Sequence, residues 1–136
     1  MANQIPQPDA ALHNTSHLMQ YHDLIESIVA AMDARDAYTA KHSDRVADMV
    51  LVLATALDLS EDETTLLHMA AHLHDIGKIA VPDSVLRKAG PLTNPEWEEM
   101  RRHPVTGYEI LRNVDDFKEI AVLVRHHHER WDGRGY

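Results

Sequence analysis

Three observations predict an all-α domain. Apolar residues recur in steps of three and four through most of the chain, capping and breaking residues cut those runs into helix-length pieces, and no stretch alternates as a half-buried strand would. Residues 1–15 are polar, contain two prolines and read as a flexible N-terminal tail, leaving residues 16–136 as one domain. From about Ser16 the seam Leu18, Tyr21, Ile25, Ile28 and Met32 predicts a first helix, whose apolar edge would pack on its own domain or pair with a second copy. A second helix is predicted from about Thr39 to Leu57, with Val46, Met49, Val50, Leu53 and Leu57 on its buried face. Ser60 and Glu63 form a capping box that opens a third, carrying Leu66, Leu67, Ala70, Leu73 and His74, with Gly77 as its natural stop. Residues 79–92 hold Pro82, Gly90 and Pro91 and read as a loop with a helical turn. Thr93 or Asn94 caps the next helix, which Pro104 interrupts; a short piece follows around Tyr108–Leu111. The last helix runs from about Asp115 to Glu129 and leads into a turn-like end, residues 131–136.

Composition narrows the chemistry. A chain of 136 residues with 44% hydrophobic residues supports one domain with a real core. The absence of cysteine excludes disulfides, zinc ribbons, iron–sulfur clusters and thiol nucleophiles. There is no leader-like start and no apolar run approaching the ~20 residues of a membrane span, so a cytoplasmic location is expected. A net charge of −9 argues against binding a nucleic-acid polymer. Positive charge gathers in the second half, at Lys78, Arg87, Lys88, Arg101, Arg102, Arg125, Arg130 and Arg134; most of these are expected to be solvated helix faces, with an anionic substrate favoured on that side.

Eleven histidines are spread along the chain, with an adjacent pair His74-Asp75 at the centre. Helical phase sorts them. His42 lies one turn before Val46, His74 one turn after Ala70, and His103 follows Trp97 and Met100 in steps of three. His127 and His128 extend the stripe Phe117, Ile120, Ala121 and Val124, whereas His126 should point away. One inward histidine is usually a hydrogen-bonded core residue; several helices each ending in one, with a carboxylate among them, is how a bundle builds a metal site. Imidazole and carboxylate suit first-row metals, and a metal pair suits phosphate-ester hydrolysis. His68 and His72, spaced as a ligand pair, lie off the predicted buried face and read as surface or supporting residues; His13, His17 and His22 read as solvated. Glu129 and Asp132 are candidates to orient His127 or His128, with a plain helix-end or turn role equally well supported. Trp131 and Tyr136 offer faces for stacking on a base, although packing under the loop is the commoner fate of such rings.

The ordered text resembles the HD superfamily of metal-dependent phosphohydrolases, and within it the HD-GYP family. It runs from Arg35-Asp36-Ala37-Tyr38-Thr39-Ala40-Lys41-His42 through His74-Asp75-Ile76-Gly77-Lys78, Gly90-Pro91-Leu92-Thr93 and His103-Pro104 to His127-His128-Glu129-Arg130-Trp131-Asp132-Gly133-Arg134-Gly135-Tyr136. The resemblance implies a helical HD-domain bundle that hydrolyses cyclic di-GMP to pGpG or GMP in bacterial signalling. It implies His42, His74, Asp75, His103, His127 and His128 as ligands of divalent iron or manganese, and Lys78 as a contact to substrate phosphate. Asp75 and Lys78 are thus the expected catalytic pair, and Lys78, Arg134 and Tyr136 the expected substrate contacts. Trinuclear members carry a glutamate where Tyr38 stands, which favours two ions over three. The chain stops at Tyr136, before the signature's proline and the family's final metal-binding aspartate, so a domain lacking its C-terminal helices, with poor turnover, is expected. The alternatives are an HD phosphohydrolase for another nucleotide, or a metal-binding but inactive module that signals by association, with the first helix forming a homodimer.

Overall fold

The computed structural model describes residues 18–35 and 41–136, whose regular elements are all helical with no strand among them. In chain order the helices are α1 (His22–Arg35), α2 (His42–Ala56), α3 (Glu61–Leu73), the short α4 (Asp83–Leu86), α5 (Asn94–Met100), α6 (His103–Leu111) and α7 (Lys118–His126), with 3₁₀ turns at Met19–Tyr21, Ile76–Ala80 and Asp115–Phe117. The position of Tyr38, on which the two-ion expectation rests, lies outside the described residues, as do His13 and His17. No helix is long and apolar enough to cross a membrane among the described residues.

α3 is the axis of the bundle. Ser60 Oγ accepts the Glu63 N–H at 3.2 Å, and the Glu63 carboxylate accepts the Ser60 N–H at 2.9 Å, so the predicted capping box opens the helix. Its last five residues, Met69 to Leu73, are all buried. A helix enclosed on every side has no polar face, which is why the phase argument fails for His72: it is buried, not on the surface.

The first-helix seam belongs to this core. Leu18, Ile25 and Val29 are buried against Met69, Leu73, Leu111, Phe117, Ile120 and Val124, and Tyr21, Ile28 and Met32 pack beside them. Burial within its own domain accounts for the pattern that suggested a dimer through this helix.

In α2 the predicted face is only partly buried: Val46 and Val50 are half-buried and the rest of it is turned outward. Ser43, Ala47 and Ala54 are buried, while Met49, Leu53 and Leu57 are more than half exposed. Small residues at four- and seven-residue steps allow close approach to α3, and the bulky residues fall on the far side.

Gly77 does not end a helix. α3 stops at Leu73, and Gly77 lies inside the Ile76–Ala80 turn, where a Cβ would stand 1.8 Å from the His103 carbonyl oxygen and 2.6 Å from Gly107 N. The residue is glycine because two backbones meet there. Pro104 likewise does not interrupt a helix. The break falls at Arg101–Arg102, and Pro104 occupies the first turn of α6, a nine-residue helix that carries His103 at its start.

Candidate metal centre

His42, His74, Asp75, His103, His127 and His128 come together, and each stands at a helix end. His42 and His103 are the first residues of α2 and α6, His74 and Asp75 follow α3, and His127 and His128 follow α7. Helix ends leave backbone carbonyls without an intrahelical partner, and the rings use them. His74 Nδ1 lies 2.6 Å from Ala71 O, His103 Nδ1 2.7 Å from Met100 O and His127 Nδ1 2.6 Å from Val124 O, each carbonyl three residues back. With Nδ1–H donated to a carbonyl, each ring turns Nε2 toward Asp75; His103 and His127 offer its lone pair, as a metal ligand requires, while His74 Nε2 hydrogen-bonds Asp75 and would give up its proton to a metal. His42 is placed differently. Lys41 before it adopts φ 61°, a left-handed conformation, and its N–H donates to the Asp33 carboxylate at 2.8 Å.

Asp75 lies between two groups of rings. Its Oδ2 is 3.2 Å from His74 Nε2 and 2.7 Å from Lys78 Nζ; its Oδ1 is 3.4 Å from His103 Nε2 and 3.9 Å from His127 Nε2. Candidate ligand atoms of His42, His74 and Asp75 lie within 4.8 Å of one another, and so do those of His103, His127 and His128. The donor set fits divalent metal: five imidazoles and one carboxylate, with three of the rings held through Nδ1 on backbone carbonyls.

The electrostatics agree. Burial works to raise the Asp75 pKa, but the hydrogen bond and charge of His74 and the Lys78 ammonium outweigh it and hold the carboxyl far below the usual range. His74 goes the other way: burial opposes its protonation, and the Asp75 carboxylate overcomes this and raises it. Burial pushes His127 down to about 4 and lowers His103 and His128, so these rings are neutral at pH 7 and ready to bind.

Such an arrangement offers two three-residue groups of candidate metal ligands on either side of one carboxylate. A model of the HD domain matches residues 22–136. The chain belongs to the HD domain family, in its HD-GYP branch. Among its HD relatives, the cyclic di-GMP phosphodiesterase response regulator RpfG of Xanthomonas campestris is 42% identical over 116 residues, covering 84% of this chain and 31% of its own. A 3'3'-cGAMP-specific phosphodiesterase of Vibrio cholerae is 41% identical over 119 residues, 84% of this chain and 22% of the relative. A cyclic di-GMP phosphodiesterase of Pseudomonas aeruginosa is 44% identical over 102 residues, 74% and 25% respectively. The chain thus spans less than a third of the length of each of these HD proteins.

Other expected residues fall nearby or elsewhere. Tyr136 stacks on His128 with ring centroids 4.6 Å apart, and the Arg101 guanidinium lies 5.3 Å from the Tyr136 ring. Arg101 therefore brings charge to the centre's edge, which nothing in the spacing announced. Arg134 is exposed, its N–H bonded to Asp132 within the final turn. Glu129 and Asp132 do not orient the histidines: Glu129 accepts the N–H groups of Arg130 and Gly135, Asp132 pairs with Arg130, and both shape the end of the chain. His126 is exposed with Nδ1 on Val122 O, away from the centre as phase predicted. Trp131 is fully exposed and does not pack under the loop.

A pocket of about 260 Å³ also touches Asp75 and Lys78, but none of the five ring ligands lines it. Its walls include Ile28, Val29, Met32, Ile76 and Leu86, so it is an apolar gap beside α1 and not the seat of a phosphate.

Proposed function

We propose that this domain is the catalytic part of a cytoplasmic, metal-dependent phosphodiesterase that hydrolyses cyclic di-GMP to pGpG and GMP. The observation that carries the reading is Asp75, whose two carboxylate oxygens face different histidine groups, as a carboxylate shared by two ions must. His42 and His74 would complete one shell and His103, His127 and His128 the other, and iron or manganese suits that donor set. Such a pair, when bound, supplies an acidified water and neutralises charge on the phosphoryl oxygens.

The chain's own residues do the rest. Asp75 stays ionised at every physiological pH because His74 and Lys78 hold its proton off. The Nδ1–carbonyl bonds fix ring orientation, so little reorganisation accompanies binding. Lys78 Nζ, 2.7 Å from Asp75 Oδ2, sets a positive charge where a phosphoryl oxygen would arrive. Tyr136, with Arg101 over its ring, offers a cationic and aromatic edge for a guanine. Arg134 has no place in this reading. Relatives that act on 3'3'-cGAMP support a second cyclic dinucleotide as substrate. A homodimer would use a surface other than Ile25, which is buried in the core with Ile28 packed against it.

The test is metal content and product formation with each dinucleotide, under anaerobic conditions with Fe²⁺ or Mn²⁺. It is run on wild type and on two variants. Asp75→Asn should lose metal and activity together. Lys78→Ala should keep the metal and lose at least about a hundredfold in rate. Full metal content in Asp75→Asn would sink the assignment of Asp75 as the shared ligand.

A further inference from the structure

The sequence left His22, His68 and His72 outside the centre, and the fold gathers them into a group of their own. His22 opens α1, and His68 and His72 stand one turn apart on α3. Ring centroids are 5.7 Å apart for His22–His68, 5.4 Å for His22–His72 and 4.7 Å for His68–His72. One nitrogen from each lies within 4.8 Å of the other two. None of the three joins the ring contacts that link His42, His74, His103, His127 and His128.

The orientation of each ring is informative. His68 Nδ1 faces Ala47 O at 3.4 Å, His22 Nδ1 faces Glu26 Oε1 at 3.5 Å and His72 Nδ1 faces Asp44 Oδ1 at 3.6 Å. All three Nδ1 atoms thus point at an oxygen. An imidazole with Nδ1–H toward an oxygen offers Nε2 to a metal, and carboxylates in that position are the usual support of a histidine ligand. His72 supplies a second observation. Its side chain is 5% exposed, and Nδ1 is buried without a hydrogen-bond partner, since Asp44 stops just beyond bonding distance. A buried polar atom left so close to an acceptor is costly, and a small closure of the group would satisfy it.

We propose that His22, His68 and His72 form a second, independent metal site, a three-histidine site for Zn²⁺ or a similar borderline cation, with water as the fourth ligand. Zinc–nitrogen bonds of 2.0–2.1 Å place tetrahedral ligands about 3.3 Å apart, so the rings close inward as the ion enters. His22, at the first residue of its helix, has a side chain 24% exposed, so its ring can turn toward an ion without opening the core. The closure draws Asp44 of α2 toward His72 and fixes the start of α1 to α3. Its role is structural: it ties together the three helices that enter the bundle first.

The experiment compares wild type with His22→Ala/His68→Ala, neither residue belonging to the Asp75 centre. After dialysis against Zn²⁺ and removal of excess, wild type should retain one equivalent more than the double variant. Loaded with Co²⁺, wild type should show the intense visible bands of a four-coordinate nitrogen site, and the variant should lack them. Asp75→Asn/His103→Gln should keep both that equivalent and those bands. The metal-free proteins should unfold at similar temperatures, and Zn²⁺ should raise the wild-type midpoint further. If the double variant fails to fold, His22→Ala alone should weaken Zn²⁺ binding at this site by at least about tenfold. Equal metal content, equal cobalt spectra and equal zinc shifts in wild type and variant overturn the proposal.

Discussion

The two histidine groups of this domain are built from the same side chains and differ in what holds them. Around Asp75, the Nδ1 atoms of His74, His103 and His127 rest 2.6–2.7 Å from backbone carbonyls at helix ends. Around His72, the Nδ1 atoms stand 3.4–3.6 Å from a carbonyl and two carboxylates on helix flanks. A carbonyl at a frayed helix end is fixed by the fold and needs a donor, so it sets the ring before any ligand arrives. A flank carboxylate is already solvated, Glu26 and Asp44 being more than half exposed, so it needs no ring and leaves the ring less tightly set. Rigidity of the first kind suits catalysis, where an error of ~1 Å costs about a hundredfold; the second suits a clasp.

The comparison breaks most severely at Gly77. Gly77→Ala forces a Cβ into the His103 carbonyl and separates α6 from the Ile76–Ala80 turn. We expect loss of folding, or destabilisation of about 3 kcal/mol or more, in urea unfolding. A folded Gly77→Ala protein would show the Asp75 centre loosened and the His72 group intact.

Acid separates the groups less drastically. His127 has a folded pKa of about 4 against an ordinary value near 6.5. The unfolded chain therefore takes up a proton first as pH falls. The contribution is complete above pH 6.5 and disappears progressively between pH 6.5 and about 4. Metal-free protein should lose of order 2 kcal/mol over that interval from this residue, discounted for its partial exposure, and His127→Gln should flatten the profile. A wild-type unfolding midpoint unchanged from pH 7 to pH 4 would contradict the burial argument.

The smallest effect is expected at the start of α3, the helix common to both groups. Ser60→Ala removes the cap and should cost about 1 kcal/mol. Metal binding at either group should not change, because His68 lies two turns further on. A change in metal affinity would mean that α3 moves as a rigid rod and does not merely fray.

How far the sequence could be read depended on what each residue answers to. Helix starts at Ser60 and Thr93 were legible because a cap is a local reaction, settled within four residues. That the six residues of the Asp75 centre would lie near one another was legible from helical phase and from the resemblance, each histidine continuing the apolar stripe of its helix. The outward face of α2 was not, since small residues at Ser43, Ala47 and Ala54 decide the close contact and hydrophobicity alone points the other way. His72 was missed because its burial comes from neighbours on all sides of α3, which periodicity does not register. The supporting carbonyls of Ala71, Met100 and Val124 carry no side-chain signal, and the acids that seemed suited to that role, Glu129 and Asp132, serve the final turn.

Arg35, the last residue of α1, binds the carbonyls of Lys78, Ile79 and Val81 at 2.6–3.0 Å and the Asp83 carboxylate at 2.8 and 3.0 Å, while its own carbonyl accepts from Arg87 Nε at 2.9 Å. One guanidinium thus holds the segment that carries Lys78. Solvent screens such exposed contacts to about 1 kcal/mol or less each, but here several share a single anchor. The arrangement works as a linkage in the mechanical sense: the end of α1 is joined to the backbone of Lys78 and Ile79 by direct hydrogen bonds that do not pass through the hydrophobic core.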